Sequence, residues 1–296
     1  MLYRKHEDID FEITDQATFP LPEKVLMVEP TYYDVQYVIN PHMIEHVGKV
    51  DKEAAYRQWE LLKEAYETLH YEVHVLPGVK GLPDMVFAAN QTLPFYRSSG
   101  EKGVVLSRMH SEERKPEVAY FQRFFAAQGY ETLEIPPKYP GSFEGGGDAI
   151  WHFNRYILWA GYGFRTDLEP LRYIQKRLDV PVLALELLDP DFYHLDTCFS
   201  VLDERSVLIC VEAFQADGLG LIERMFERVI YAPEKEAREL MACNAHCPDG
   251  KHVLLQKGCE ETVVRLQKAG FIPVEIETSE FLKAGGSVYC LKQMFW

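Results

Sequence analysis

The feature that most constrains this chain is a spacing. Pairs of apolar runs joined by a turn recur along it: MVFAANQTLPF before GVVLSRM, DAIWHF before YILWAGYG, TCFSVL before VLICVEAF, and a weaker NAHC before HVLLQKG. Each pair reads as a β-hairpin. At or near the entry to these hairpins, and again near the end of the chain, stand Asn90, Asp148, Asp196, Asn244 and Cys290, separated by 58, 48, 48 and 46 residues. A near-constant period of this length predicts repetition of one supersecondary unit, with corresponding residues facing a common axis. Strands that aim polar residues at a centre build a polar site there.

Helical patterns fall between the strands. DKEAAYRQWELLKEAYETLHY (51–71) carries Ala55, Trp59, Leu62, Ala65 and Leu69 at helical spacing, between the strand-like VLMVEP (25–30) and YEVHVLPG. The same alternation recurs in EVAYFQRFFAAQGY (117–130) before ETLEIPP, and in EETVVRLQKAG (260–270) before FIPVEI. The expected class is α/β, with five ββαβ units and the last strand, in VYCLKQMF, pairing with the first, in VLMVEP. No Pro/Gly/Ser linker or charge block divides the chain, so residues 1–296 are read as one domain.

Composition narrows the function. The 46 acidic against 31 basic side chains give a formal net charge of −15, which opposes binding to nucleic acid or an anionic membrane. The N-terminus lacks the apolar core of a signal peptide, and no run of 18 apolar residues occurs. A cytoplasmic protein is expected. The six cysteines are too few for a disulfide scaffold of this length and would persist as thiols in a reducing compartment.

Three segments concentrate chemistry. In FEGGGDAIW (143–151), Glu144 and Asp148 flank three glycines, which let a ligand or another chain segment approach the backbone; the same pattern also fits a glycine turn between two solvated acids. It is neither a dinucleotide fingerprint nor a P-loop. In YHLDTCFSVL (193–202), His194 and Asp196 are two residues apart, which in an extended chain places both on one face. GGSVYC (285–290) ends on Cys290, either a buried structural thiol or a nucleophile. A fourth segment, CNAHC (243–247), offers Cys243, His246 and Cys247 but no evident fourth zinc ligand, so neither a metal nor a cofactor is expected. Taken together, a thiol, an imidazole and several carboxylates fall at matching phases of one repeat. Cysteine with histidine is a nucleophile with its proton-transfer partner. The surplus of acids points to a cationic electrophile, and a guanidinium is the planar cation that carboxylates bind bidentately.

These motifs resemble those of the guanidino-group-modifying, or pentein, superfamily: arginine deiminases, dimethylargininases, amidinotransferases and arginine dihydrolases. FEGGGD resembles the superfamily's Glu-Gly-rich-Asp motif, YHLDT its His-x-Asp motif, AGGSVYC its terminal cysteine motif, and GYGFRT (161–166) the segment whose arginine, here Arg165, holds a substrate carboxylate. The resemblance covers nearly the whole chain and implies a five-bladed β/α propeller with the site at its centre. It implies that Cys290 attacks the guanidinium carbon, that His194 transfers protons, and that Glu144, Asp196 and Asp148 anchor the guanidinium. Arg165 would bind the carboxylate, with Arg108 or Arg114 assisting.

One departure stands out. PDMVFAANQ (83–91) carries Asn90 where deiminases and dimethylargininases usually have aspartate, which resembles the arginine dihydrolase branch. An amide there is expected to accept one hydrogen bond from the guanidinium. The opening VLMVEPTYYDVQYVINPHM (25–43) also resembles that branch, placing Tyr37, Asn40 and Met43 near the substrate. Long members of the branch carry a second domain that processes ornithine, for which 296 residues leave no room, so an onward reaction is expected to need another protein.

The leading expectation is therefore a cofactor-free cysteine hydrolase acting on a small guanidino substrate, arginine dihydrolase ahead of deiminase and dimethylargininase. A homo-oligomer is compatible with it. An amidinotransferase remains the alternative within the superfamily. A non-catalytic binding propeller and a zinc-dependent deaminase are the alternatives outside this chemistry.

Overall fold

The computed structural model describes residues 1–97 and 99–296. Its strands form five separate sheets, and each repeats one connection. In the first complete unit, Thr92–Tyr96 pairs antiparallel with Lys102–Leu106, the helix Val118–Ala127 follows, and Glu131–Leu133 returns parallel to the second strand. Ala149–Trp151, Leu158–Tyr162 and Val182–Glu186 repeat the pattern around the helix Leu168–Leu178, with Leu2–Tyr3 added along the outer edge. Phe199–Val201, Ser206–Ile209 and Arg228–Tyr231 repeat it again around Ala216–Met225. A parallel return needs a crossover, and the helices supply it.

The fourth unit is weaker, as its sequence suggests. His252–Gln256 pairs parallel with Ile272–Ile276, but the antiparallel partner is reduced to a single bridge between His246 and Leu254. The fifth joins the two ends of the chain. Gln293–Phe295 runs antiparallel to Lys24–Val28, in register Met294 with Val25, and Glu72–Leu76 lies parallel on the other side. The C-terminal segment is thus fixed by a sheet and by burial, since Leu291 and Phe295 are fully enclosed.

The helix read over 51–71 spans Lys52–Thr68. Asp51 caps it by accepting from the Ala54 amide at 2.9 Å. Ala55, Trp59, Leu62 and Tyr66 form its buried face, whereas Ala65 and Leu69 are only partly covered. Burying a side chain such as Leu62 contributes about 1.5–3 kcal/mol. The helix stops where His70 takes a left-handed conformation, φ 67°. Among the described residues no helix is long and apolar enough to cross a membrane.

Candidate active site

The glycine run is a single helical turn, Gly145–Asp148, rather than a loop. Gly145 sits at φ 53°, and a Cβ there would lie 2.6 Å from the Thr92 carbonyl oxygen and 2.7 Å from that of Asn90. At Gly147 a Cβ would lie 2.2 Å from Asn90 Nδ2. The glycines therefore admit the neighbouring hairpin, not only a ligand.

Glu144, ahead of this turn, is fully buried and has three partners. Its Oε2 accepts from His194 Nε2 at 2.7 Å and from Arg165 Nη1 at 3.3 Å, while Oε1 accepts from the His110 amide at 2.9 Å. Burial alone would raise this carboxyl, but the His194 hydrogen bond and the charges of His194, Arg165 and Arg114 bring it down to about 2. An ionised carboxylate only accepts, so Nε2 is the ring nitrogen that donates to Glu144. Asp148 is engaged in the same way: Oδ1 takes the Leu195 amide at 3.0 Å and Oδ2 takes the Thr166 hydroxyl at 2.7 Å. Burial pushes Asp148 up to about 6 against the pull of His194 and its hydrogen bonds. Both acids hydrogen-bond His194 or its segment.

His194 and Asp196 do come together with Cys290, though not by strand alternation. His194 is extended, but Leu195–Thr197 is a tight 3₁₀ turn. The Cys290 thiol donates to Asp196 Oδ2 at 3.2 Å, and Asp196 Oδ1 is buried with no partner. Burial, then the adjacent Asp196 carboxyl, drive the thiol well above its usual range; burial also lifts Asp196 to about 7.

A small enclosed pocket adjoins the thiol, lined in part by Cys290, His194, Asn90, Arg114, Arg165 and Asp84. Asn40 and Met43 line it too, whereas Tyr37 does not. Arg165 stacks over Tyr193 at 4.9 Å and donates to the Ile39 carbonyl at 2.6 Å. Asn40 Nδ2 donates to the Ala284 carbonyl at 3.0 Å, leaving Oδ1 unpaired.

The two candidate arginines separate. Arg114 is buried against Glu117 at 2.9 Å and donates to Asn90 Oδ1 at 3.1 Å. Arg108 is absent from the pocket lining; its guanidinium binds the carbonyls of Tyr139, Gly141 and Ile135 and so clamps a loop. The Arg114 contact also changes the reading of Asn90. Arginine only donates, so the amide oxygen must face it, and the unpartnered Nδ2 is what remains. Asn90 thus has a donor to offer, not the acceptor expected from sequence.

Three polar residues carry no role in the sequence reading. Asp84 lines the pocket, is 1% exposed, and neither carboxylate oxygen has a hydrogen-bond partner. Burial raises its carboxyl, opposed by the Arg114 charge and by the Tyr37 hydroxyl, which stands beside it just outside hydrogen-bond geometry. Lys292 is buried over the Tyr289 ring, and burial brings its amine down to about 7. Tyr289 and Lys292 face a separate cavity of about 100 Å³ walled by Trp151 and Trp296, so the Cys290 segment divides two spaces. Asn244, fully buried, touches Cys290 directly at 3.1 Å. Its place in the repeat period was the one signal for it. Cys243, His246 and Cys247 are buried, and His246 Nδ1 pairs with the Tyr66 hydroxyl at 2.9 Å; among the described residues no set of metal-ligating side chains forms.

The sequence matches the family described as N,N dimethylarginine dimethylhydrolase, eukaryotic, over residues 39–294. The chain belongs to the dimethylarginine dimethylhydrolase family. Within the pentein superfamily it is similar to the bifunctional arginine dihydrolase/ornithine cyclodeaminase ArgZ of Synechocystis sp., 40% identical over 271 residues. That match covers 90% of this chain and 37% of ArgZ, so the chain spans little more than a third of that relative. The N(G),N(G)-dimethylarginine dimethylaminohydrolase of Mycobacterium tuberculosis is 34% identical over 271 residues, 92% of this chain and 85% of the other. Among solved structures, the N-terminal domain of ArgZ from the cyanobacterial ornithine-ammonia cycle, a cysteine-to-serine mutant bound to substrate, superposes with a TM-score of 0.84 at 38% identity. It covers 92% of this chain and 97% of that domain.

Proposed function

We propose that this protein is an arginine dihydrolase, converting L-arginine and two waters to ornithine, two ammonia and carbon dioxide. The observation that carries the reading is Asn90, held by Arg114 so that a hydrogen-bond donor remains where a deiminase would have a carboxylate. Similarity to the ArgZ domain, over nearly all of that domain, supports the same reading.

In this mechanism the guanidinium enters beside Asp196, whose unpaired Oδ1 needs a cation. Its charge favours loss of the proton that Cys290 directs at Asp196, which passes to His194, and the thiolate attacks the guanidinium carbon. His194 gives a proton to one terminal nitrogen as its C–N bond breaks and ammonia leaves. A water deprotonated by His194 then displaces the sulfur, and the guanidino group has become a ureido group.

The second round begins on a neutral carbonyl, and here the donor matters. Nδ2 of Asn90 can bond the ureido oxygen and stabilise the charge that develops as Cys290 attacks again, whereas aspartate would repel it. The second ammonia leaves, water again releases the thiol, and the remaining carbamate on the side-chain nitrogen loses carbon dioxide to give ornithine. Arg165 and Arg114 supply the cationic wall for the substrate carboxylate. Asn40 Oδ1 and Asp84 offer acceptors for its amino group. Glu144 and Asp148 are positioning residues in this scheme, and Arg108 has no part in it.

The same reading makes the five sheets the blades of one β/α propeller and residues 1–296 a single catalytic domain. Six free thiols fit a reducing, cytoplasmic setting. The test is product analysis with L-arginine, comparing wild type with Cys290→Ser. Ornithine with two equivalents of ammonia, reduced at least about 1,000-fold in the variant, is expected. Citrulline with one equivalent, or dimethylarginine as the preferred substrate, would replace the dihydrolase reading.

A further inference from the structure

Asn244 is fully buried, and every hydrogen-bonding position of its side chain is used. Oδ1 accepts three backbone amides of the nucleophile segment: Ser287 at 3.1 Å, Tyr289 at 3.0 Å and Cys290 at 3.2 Å. Nδ2 donates to the Asp196 carbonyl at 3.0 Å and to Cys290 Sγ at 3.1 Å. The orientation is forced. A flipped amide would set its oxygen against the Asp196 carbonyl and its NH₂ against three N–H donors.

This arrangement answers a problem the site creates. The thiol is buried and faces the Asp196 carboxyl, and both conditions disfavour a thiolate. The other groups about it are Tyr193, Tyr289, Lys292 and His194. Of the side chains hydrogen-bonded to Sγ, Asn244 is the donor and Asp196 the acceptor, and the Ser287 backbone amide is a second source of N–H for the sulfur. A thiolate is a far better acceptor than a thiol, so this N–H bond strengthens as the sulfur ionises.

We propose that Asn244 is a further catalytic residue: its Nδ2–H stabilises the Cys290 thiolate while its Oδ1 locks the segment that carries it. The inference rests on Cys290 being the nucleophile, but its test needs no arginine. Asn244→Asp keeps the acceptor for the three amides and removes the donor, placing a carboxyl against the sulfur.

The experiment follows iodoacetamide alkylation of the Cys290 peptide by mass spectrometry across pH, alongside melting curves. In Asn244→Asp, alkylation near neutral pH is expected to fall about 10- to 100-fold, with the rate recovering as pH is raised. Asn244→Ser retains a hydroxyl donor and should fall less, and it carries the test if the aspartate variant does not fold. A mere structural clasp would lower the melting temperature without moving the pH profile. An unchanged profile in a folded variant overturns the proposal. A shifted profile in a protein that does not turn over arginine would sustain this inference and remove the dihydrolase reading.

Discussion

The two sides of Cys290 treat polar groups differently. Behind it, Asn244 spends all its hydrogen-bonding capacity on the 287–290 segment, the sulfur and the Asp196 carbonyl. Across the pocket, Asp84 has two unpartnered oxygens, Asn90 an unpartnered Nδ2 and Asn40 an unpartnered Oδ1. A buried polar group without a partner costs about 1–3 kcal/mol. The rear wall is therefore built for rigidity and the front wall is held short of its stability optimum, as expected where a ligand supplies the missing partners.

If that contrast is right, front-wall changes alter binding or outcome more than folding. The largest effect is expected at Asp84, a pocket-lining carboxylate whose two oxygens accept no hydrogen bond among the described residues. Asp84→Asn should raise KM for arginine about 10- to 100-fold with a smaller change in kcat, and it should not lower the melting temperature. Next is Asn90→Asp, which exchanges the donor for a charge. The ornithine-to-citrulline ratio should fall at least about tenfold, read by amino-acid analysis of the products.

Asp196 couples the two walls and sharpens the contrast through pH. Its folded carboxyl is raised to about 7, so it costs nothing below its usual 3.8, where both states are protonated. The cost grows as pH rises and is complete above about 7; Asp148, raised to about 6, acts in the same direction. Glu144 works oppositely, its contribution present above 4.5 and lost as pH falls through about 2. Asp196→Asn should therefore lose activity yet gain thermal stability over wild type at pH 8, on the order of 2–4 °C, with the gain vanishing at pH 4. The smallest effect is expected at Arg108. Arg108→Ala should leave KM within about twofold, while the loss of a loop clamp lowers stability by roughly 1–2 kcal/mol in denaturant unfolding.

Much of the architecture was legible because it repeats. A period carried by hairpins survives errors at any one element, and so the pairing of 293–295 with 24–28 followed from counting units. What resisted was orientation. Strand alternation predicts His194 and Asp196 on one face, whereas a 3₁₀ turn brings them to the thiol by another route. Glu144 and Asp148 have the residue type of guanidinium ligands, but long-range partners in Thr166, Leu195 and His110 claim their oxygens. Asp84 lay six residues before Asn90 in a segment read only for its asparagine, and nothing local reveals that its carboxylate is buried and unpaired. Asn244 falls on the repeat period and reads from sequence as a hairpin marker, because a clasp made of backbone amides leaves no trace in residue type.

The most direct measurement is acid-quenched mass spectrometry of the wild-type protein during turnover of L-arginine, with the peptides mapped. A covalent adduct of the arginine side chain on the Cys290 peptide, and on no other cysteine, is the expected result. Turnover without any adduct on that peptide, together with undiminished activity in Cys290→Ser, would contradict the account.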